Sequence, residues 1–143
     1  MIKIAIGGDK NFPIKELSDR GVEVIPLTEY EDNTKEFDHE GVVIESLVDS
    51  LNKINFDFIQ LYYVDFVNNK GIPLRRILLS NNIDIYLCSW SNIGLSNRQM
   101  AGMDGRCLCI TSAGNSGSDG ETLSARSPYT ISVGAIEENG GKL

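Results

Sequence analysis

The chain has 143 residues, enough for a single domain over 1–143 with a real core, and its 41% apolar content argues against disorder. Thirteen Lys and Arg against twenty Asp and Glu leave a formal charge of −7, which disfavours nucleic acid and anionic membrane as main partners. No apolar run approaches the ~20 residues of a membrane span. The opening residues MIKIAIGGDK lack the charged start, long apolar stretch and small-residue cleavage site of a secretory signal, so a cytoplasmic protein is expected.

Apolar runs of strand length, rich in β-branched and aromatic residues, recur along the chain. The first is 2–6, ending at Gly7-Gly8-Asp9. The others are 22–26, 57–64, 83–89, 106–112 and 129–135. Helical spacing falls between them. Over 41–54, Val43, Leu47, Leu51 and Ile54 share one face. The stretch 73–81 opens on Pro73 and ends in Asn81-Asn82, and 96–103 lies between Gly94 and Gly105. The acidic stretch 29–40 reads as a solvated loop, and 137–142 as a turn leading onward. Strands alternating with helices predict an α/β fold, a mostly parallel sheet of about six strands with helices on both faces.

The three cysteines are an odd number in strand-like surroundings. Cys107 and Cys109 share a strand face without disulfide geometry, so reduced thiols are expected. One histidine and no paired-cysteine spacing argue against zinc. No cofactor is implied, and the acidic loop 29–38 shows no calcium-ligand spacing.

In a parallel sheet functional groups gather at the carboxyl ends of strands. Asp9 follows the first run. The sole histidine, His39, sits in Asp38-His39-Glu40-Gly41 before a helix. Asn115 follows the fifth run in Ser112-Ala113-Gly114-Asn115-Ser116-Gly117. A carboxylate to orient a histidine, the histidine as general base and an amide donor for an oxyanion are what acyl transfer needs.

The segment 110–117, followed by Ser127-Pro128-Tyr129-Thr130-Ile131-Ser132-Val133-Gly134-Ala135, resembles the oxyanion-Asn segment of the subtilisin-like serine peptidases. There an apolar strand ends in Ala-Gly-Asn and a turn feeds a Val-Gly-Ala strand. Asn-Ile-Asp-Ile-Tyr-Leu-Cys-Ser-Trp-Ser over 82–91 resembles the family strand flanking the substrate cleft. The order Asp, His, Asn is the family's order. The resemblance implies peptide-bond hydrolysis, with Asp9 orienting His39, His39 taking a proton from a serine and Asn115 donating to the oxyanion. It implies a cleft lined by Ser89, Trp90, Ser91 and Gly114, taking a peptide or protein substrate.

The chain departs from the family at three places. An ungapped match puts Gly8 where the family has its aspartate, and Asp9 fits with a one-residue shift. Glu40-Gly41-Val42 follows His39 where the family has Gly-Thr and a second histidine. The family's Gly-Thr-Ser nucleophile segment is absent from the 143 residues. The domain is therefore expected to be C-terminally incomplete and inactive alone. The apolar runs Ile4-Ala5-Ile6, Ile85-Tyr86-Leu87 and Leu108-Cys109-Ile110 would then be uncovered, and self-association or a second polypeptide completing the fold is expected.

Bland roles stand beside these. Asp9 suits a turn after Gly-Gly, Asp38 a helix cap, Asn115 a Gly-Asn turn, and Trp90 plain packing. Gly114-Asn115-Ser116-Gly117 superficially matches the nucleophile segment of chymotrypsin-like peptidases, but the α/β alternation argues against that all-β fold. Gly7-Gly8 lacks the third glycine of a phosphate loop. The alternative function is a non-catalytic α/β domain, a degenerate peptidase or flavodoxin-like module, that binds a partner or small ligand.

Overall fold

The computed structural model describes residues 1–32, 39–54, 58–67, 72–90, 93–114, 127–136 and 138–139, the side chains of His39 and Glu40 excepted. The strands are β1 (Ile2–Gly8), β2 (Val24–Pro26), β3 (Ile59–Asp65), β4 (Ile85–Cys88), β5 (Leu108–Ser112) and β6 (Thr130–Val133). The helices are α1 (Ile14–Asp19), α2 (His39–Lys53), α3 (Leu74–Ser80) and α4 (Asn97–Ala101). Each of the six apolar runs carries one strand. Among the described residues no helix is long and apolar enough to cross a membrane.

The strands form one sheet in the order β2-β3-β1-β4-β5-β6, with every pairing parallel. β1 lies inside the sheet: Ile4 is opposite Leu61 on one side and Ile85 on the other, and Ile6 lies between Tyr63 and Leu87. Alternation sends successive side chains to opposite faces. Ile4, Ile6, Leu61 and Tyr63 join Phe12, Leu17 of α1 and Ile44 of α2 in one core. Ala5, Tyr62, Val64, Tyr86, Cys88 and Cys109 face the other way, under Leu74, Ile77 and Leu78 of α3 and Met100 of α4. Helices therefore cover both faces, as a parallel sheet requires.

The helices start where their local sequence supplies a stop or a cap. Proline precedes α1 and α3. α4 opens on a capping box, in which the Ser96 hydroxyl accepts from the Gln99 N–H while Gln99 Oε1 accepts from the Ser96 N–H at 2.8 Å. α1 is six residues long and was not expected from the periodicity.

The uncovered apolar face lies further out than the sequence predicts. Ile4 and Ile6 are only 5% and 2% exposed, because α1 and α2 lie over them. On the same face Ile85 and Leu87 are partly buried, and Leu108, Ile131 and Val133 are 43%, 49% and 55% exposed. The part of the sheet beyond β1 is thus apolar and incompletely covered on this side.

A close approach fixes β4 against β1. A Cβ placed on Gly7 would lie 2.4 Å from Tyr86 Oη and 2.9 Å from two of its ring carbons. The absent side chain leaves room for a fully buried ring, whose hydroxyl donates to the Ile93 carbonyl at 2.8 Å. Burial pushes this phenol well above its ordinary pKa, with the neighbouring Cys88 adding to the effect. Cys88, Cys107 and Cys109 are buried thiols that form no disulfide. Contact with the Cys109 thiol, together with burial, pushes the Cys107 thiol up.

Gly7→Ala should therefore destabilise the fold by about 1–3 kcal/mol, as overpacking does. The loss should be smaller when Tyr86→Leu is already present, and urea titration of the four-member cycle measures the coupling. The thiols should resist iodoacetamide in the native chain at neutral pH and react together once it is denatured, which mass spectrometry reads directly.

Candidate functional site

β1 is followed by α1 on one face of the sheet, and its neighbour β4 by α4 on the other. Adjacent strands whose chains leave to opposite faces open a crevice at their carboxyl ends, where α/β sheets place their ligands. Asp9 lies directly beyond β1, and Ser89 and Trp90 directly beyond β4. Ala113 and Gly114 follow β5 on the same edge.

The backbone beyond β1 is tightly held. Asp9 Oδ1 accepts from the Asn11 N–H at 2.8 Å, so its carboxylate closes a short local turn. The buried Tyr63 hydroxyl donates to the Asp9 carbonyl. The Tyr63 ring stacks on Phe12 at 4.1 Å and meets Tyr30 edge-on at 6.5 Å. The segment after β1 is zipped to the segment after β2: the Glu31 N–H donates to the Lys10 carbonyl at 2.6 Å and the Phe12 N–H to the Glu31 carbonyl at 3.0 Å. Lys10 and Glu31 add an exposed ion pair of 3.1 Å.

A second carboxylate stands on this edge. Asp65 ends β3, is in register with Gly8, and is only 2% exposed. Its N–H donates to Thr28 Oγ1 at 2.8 Å, and its Oδ1 accepts from the Val67 N–H at 2.8 Å. The neighbouring Phe66 N–H donates to the Gly8 carbonyl at 3.1 Å. The apolar run 57–64 stops one residue short of Asp65, so its pattern does not single this acid out. The signal was there, since an acid that closes an apolar run is placed as Asp9 is. Buried acids are rare without partners or a task.

Of the predicted cleft residues, Trp90 packs against Phe66 with ring centroids 5.9 Å apart and is partly buried on the α3–α4 core. Ser89 is partly exposed. Gly114 has φ +95°, a left-handed conformation suited to glycine. The Ala113 N–H before it donates to the Val133 carbonyl at 2.8 Å, which joins the end of β5 to β6. His39 is the first residue of α2, the helix that follows β2. Its side chain lies outside the described residues, as do Asp38, Ser91, Asn115 and Ser116. Among the described residues no cluster of three or more His, Cys, Asp or Glu could hold a metal ion.

The described part of the edge thus offers two anchored carboxylates, a partly exposed serine and an aromatic wall. That inventory combines polar and apolar groups at the strand ends. Its carboxylates could orient an imidazole, and the His39 ring is not among the described side chains.

Neither a protein-family model nor a curated protein matches the chain. Among solved structures the chain resembles the PatG macrocyclase in complex with peptide, at 16% sequence identity and a TM-score of 0.63. The likeness covers 99% of this chain and 59% of the macrocyclase chain, so this chain spans well under two thirds of that neighbour. It shows the fold: a six-strand parallel α/β domain of subtilisin-like architecture.

Proposed function

We propose that the chain forms the acid–base and oxyanion side of a subtilisin-like serine endopeptidase that acts on peptide bonds. The observation that carries this is the subtilisin-like sheet, with Asp9, the start of α2 and the end of β5 each following a strand of it. His39 would take the proton from a serine and return it to the leaving amine, and Asn115 would donate to the oxyanion. A carboxylate at the end of β1 or β3 would hold the imidazole. Asp9 takes that role by the order of the sequence motif. The burial of Asp65 and its register with Gly8 support Asp65 as the second contender. Peptide would lie along Ser89, Trp90, Ser91 and Gly114.

The nucleophile must come from outside the motifs in these 143 residues. The uncovered face of Leu108, Ile131 and Val133 supports the same reading, since the resemblance implies a nucleophile-bearing helix that packs on the central sheet. Each ~100 Å² of apolar surface left wet forgoes ~2.5 kcal/mol of burial. A binding domain without hydrolysis is the second reading, and Gly8 at the family's aspartate position favours it.

The 143-residue chain alone should neither cleave peptides nor react with fluorophosphonate probes. Stoichiometric labelling mapped to Ser116 would mean the nucleophile had been misidentified. Joined to a downstream Gly-Thr-Ser segment, the chain should hydrolyse peptides, and His39→Ala should lower kcat by several powers of ten. Peptide binding with no turnover in that longer protein would favour the non-catalytic reading. Sedimentation velocity of the 143-residue chain at micromolar concentration should show association. A monomer with a cooperative melt at ~45–65 °C would mean that the chain closes its own core.

A further inference from the structure

We infer that the outer surface of the α3–α4 layer is a docking site for an acidic peptide segment of a partner polypeptide. The chain carries −7 overall, yet residues 72–106 hold four arginines, Arg75, Arg76, Arg98 and Arg106, against two acids, Asp84 and Asp104. All the cations in this stretch are arginine, the residue whose planar fork grips a carboxylate with two parallel hydrogen bonds.

The structure brings Arg75 and Arg76 to one cleft. An open cleft of about 630 Å³ lies between α3 and α4, lined by Pro73, Arg75, Arg76, Leu79, Ser80 and Gln99. Arg75 and Arg76 are exposed, and Leu79 is partly buried at the cleft. Two guanidinium groups converge on Gly102. A Cβ placed there would lie 3.4 Å from Cζ and Nη1 of Arg75, and Arg106 Nη2 donates to the Gly102 carbonyl at 2.8 Å. Among the described residues the ion pairs are Lys10–Glu31, Arg20–Glu16 and Arg20–Glu45, and none involves Arg75, Arg76 or Arg98. Arg75 and Arg76 are adjacent on α3 and repel one another, and an incoming carboxylate relieves that repulsion.

The other lining groups narrow the ligand. The Gln99 carbonyl oxygen is committed to the capping box, which leaves its amide N–H groups as donors at the cleft. Pro73 and Leu79 supply apolar contact for one aliphatic side chain among the acids. An acidic peptide with one such residue matches that set. Long polyanions match it poorly, because the rest of the acidic surface repels them.

A fluorescein-labelled peptide Glu-Asp-Glu-Leu-Asp-Glu, titrated with the full 143-residue chain, tests this by anisotropy. Saturable binding is expected, weakening as salt rises. Arg75→Ala/Arg76→Ala should weaken it about tenfold or more, Arg75→Lys/Arg76→Lys should fall between, and Lys53→Ala should leave it unchanged. These side chains are exposed, and circular dichroism confirms that the variants stay folded. Absence of saturable binding, or equal binding by the double alanine variant, overturns the proposal. So does equal affinity for single-stranded RNA. Self-association that the double alanine variant abolishes also overturns it, because the cleft would then hold the acidic stretch of a second copy.

Discussion

The centre of the molecule depends on β1 being paired on both sides and buried on both faces. Gly7 has no side chain, and this leaves room for Tyr86 of the adjacent strand, whose hydroxyl bonds to the Ile93 carbonyl. A larger residue at position 7 would force β4 away from β1. The two strand ends at the crevice would then separate, and Asp9 would lose its fixed relation to Ser89 and Trp90. Packing, register and the candidate site therefore rest on one omission of a side chain.

The anchoring beyond β1 follows the same logic. Tyr63 is buried under Phe12 and Tyr30, and its hydroxyl holds the Asp9 carbonyl. The strand-end backbone is thus fixed before any ligand arrives, which lowers the entropic cost of binding at that edge. The opposite half of the sheet is less finished. β6 leaves Ile131 and Val133 half exposed, and the charge on the α3–α4 side is reversed relative to the whole chain. One face of the domain is thus apolar and partly uncovered, and another carries arginines at a cleft.

All six strands were legible in the sequence: the buried ones read as apolar runs closed by glycine or polar residues, and the exposed edge strand β6 as a β-branched run. α1 was not legible, since six residues after Pro13 give too short a window for helical periodicity. The apolar periodicity begins α2 at Gly41, two residues inside its observed start at His39, although Asp38 suits a cap at that start. At the site, Asp9 was found from its place after β1, and the Asx turn it makes with Asn11 was a role foreseen for it. Asp65 escaped because a carboxylate one residue past an apolar run looks like the start of a loop. Only the register with Gly8 reveals it as buried in the sheet. The arginine cleft was not legible, because Arg75 and Arg76 of α3 meet Gln99 of α4 there only through packing.

The chain has one histidine, so its imidazole gives an unambiguous nuclear magnetic resonance signal. Titrating that signal in the native chain, in Asp9→Asn and in Asp65→Asn tests the central claim most directly. A carboxylate that holds His39 stabilises the imidazolium, so one of the two substitutions should lower the histidine pKa and alter the tautomer ratio. An imidazole that titrates as in an unfolded peptide, near ~6.5, and ignores both substitutions would contradict an acid–base site at this edge.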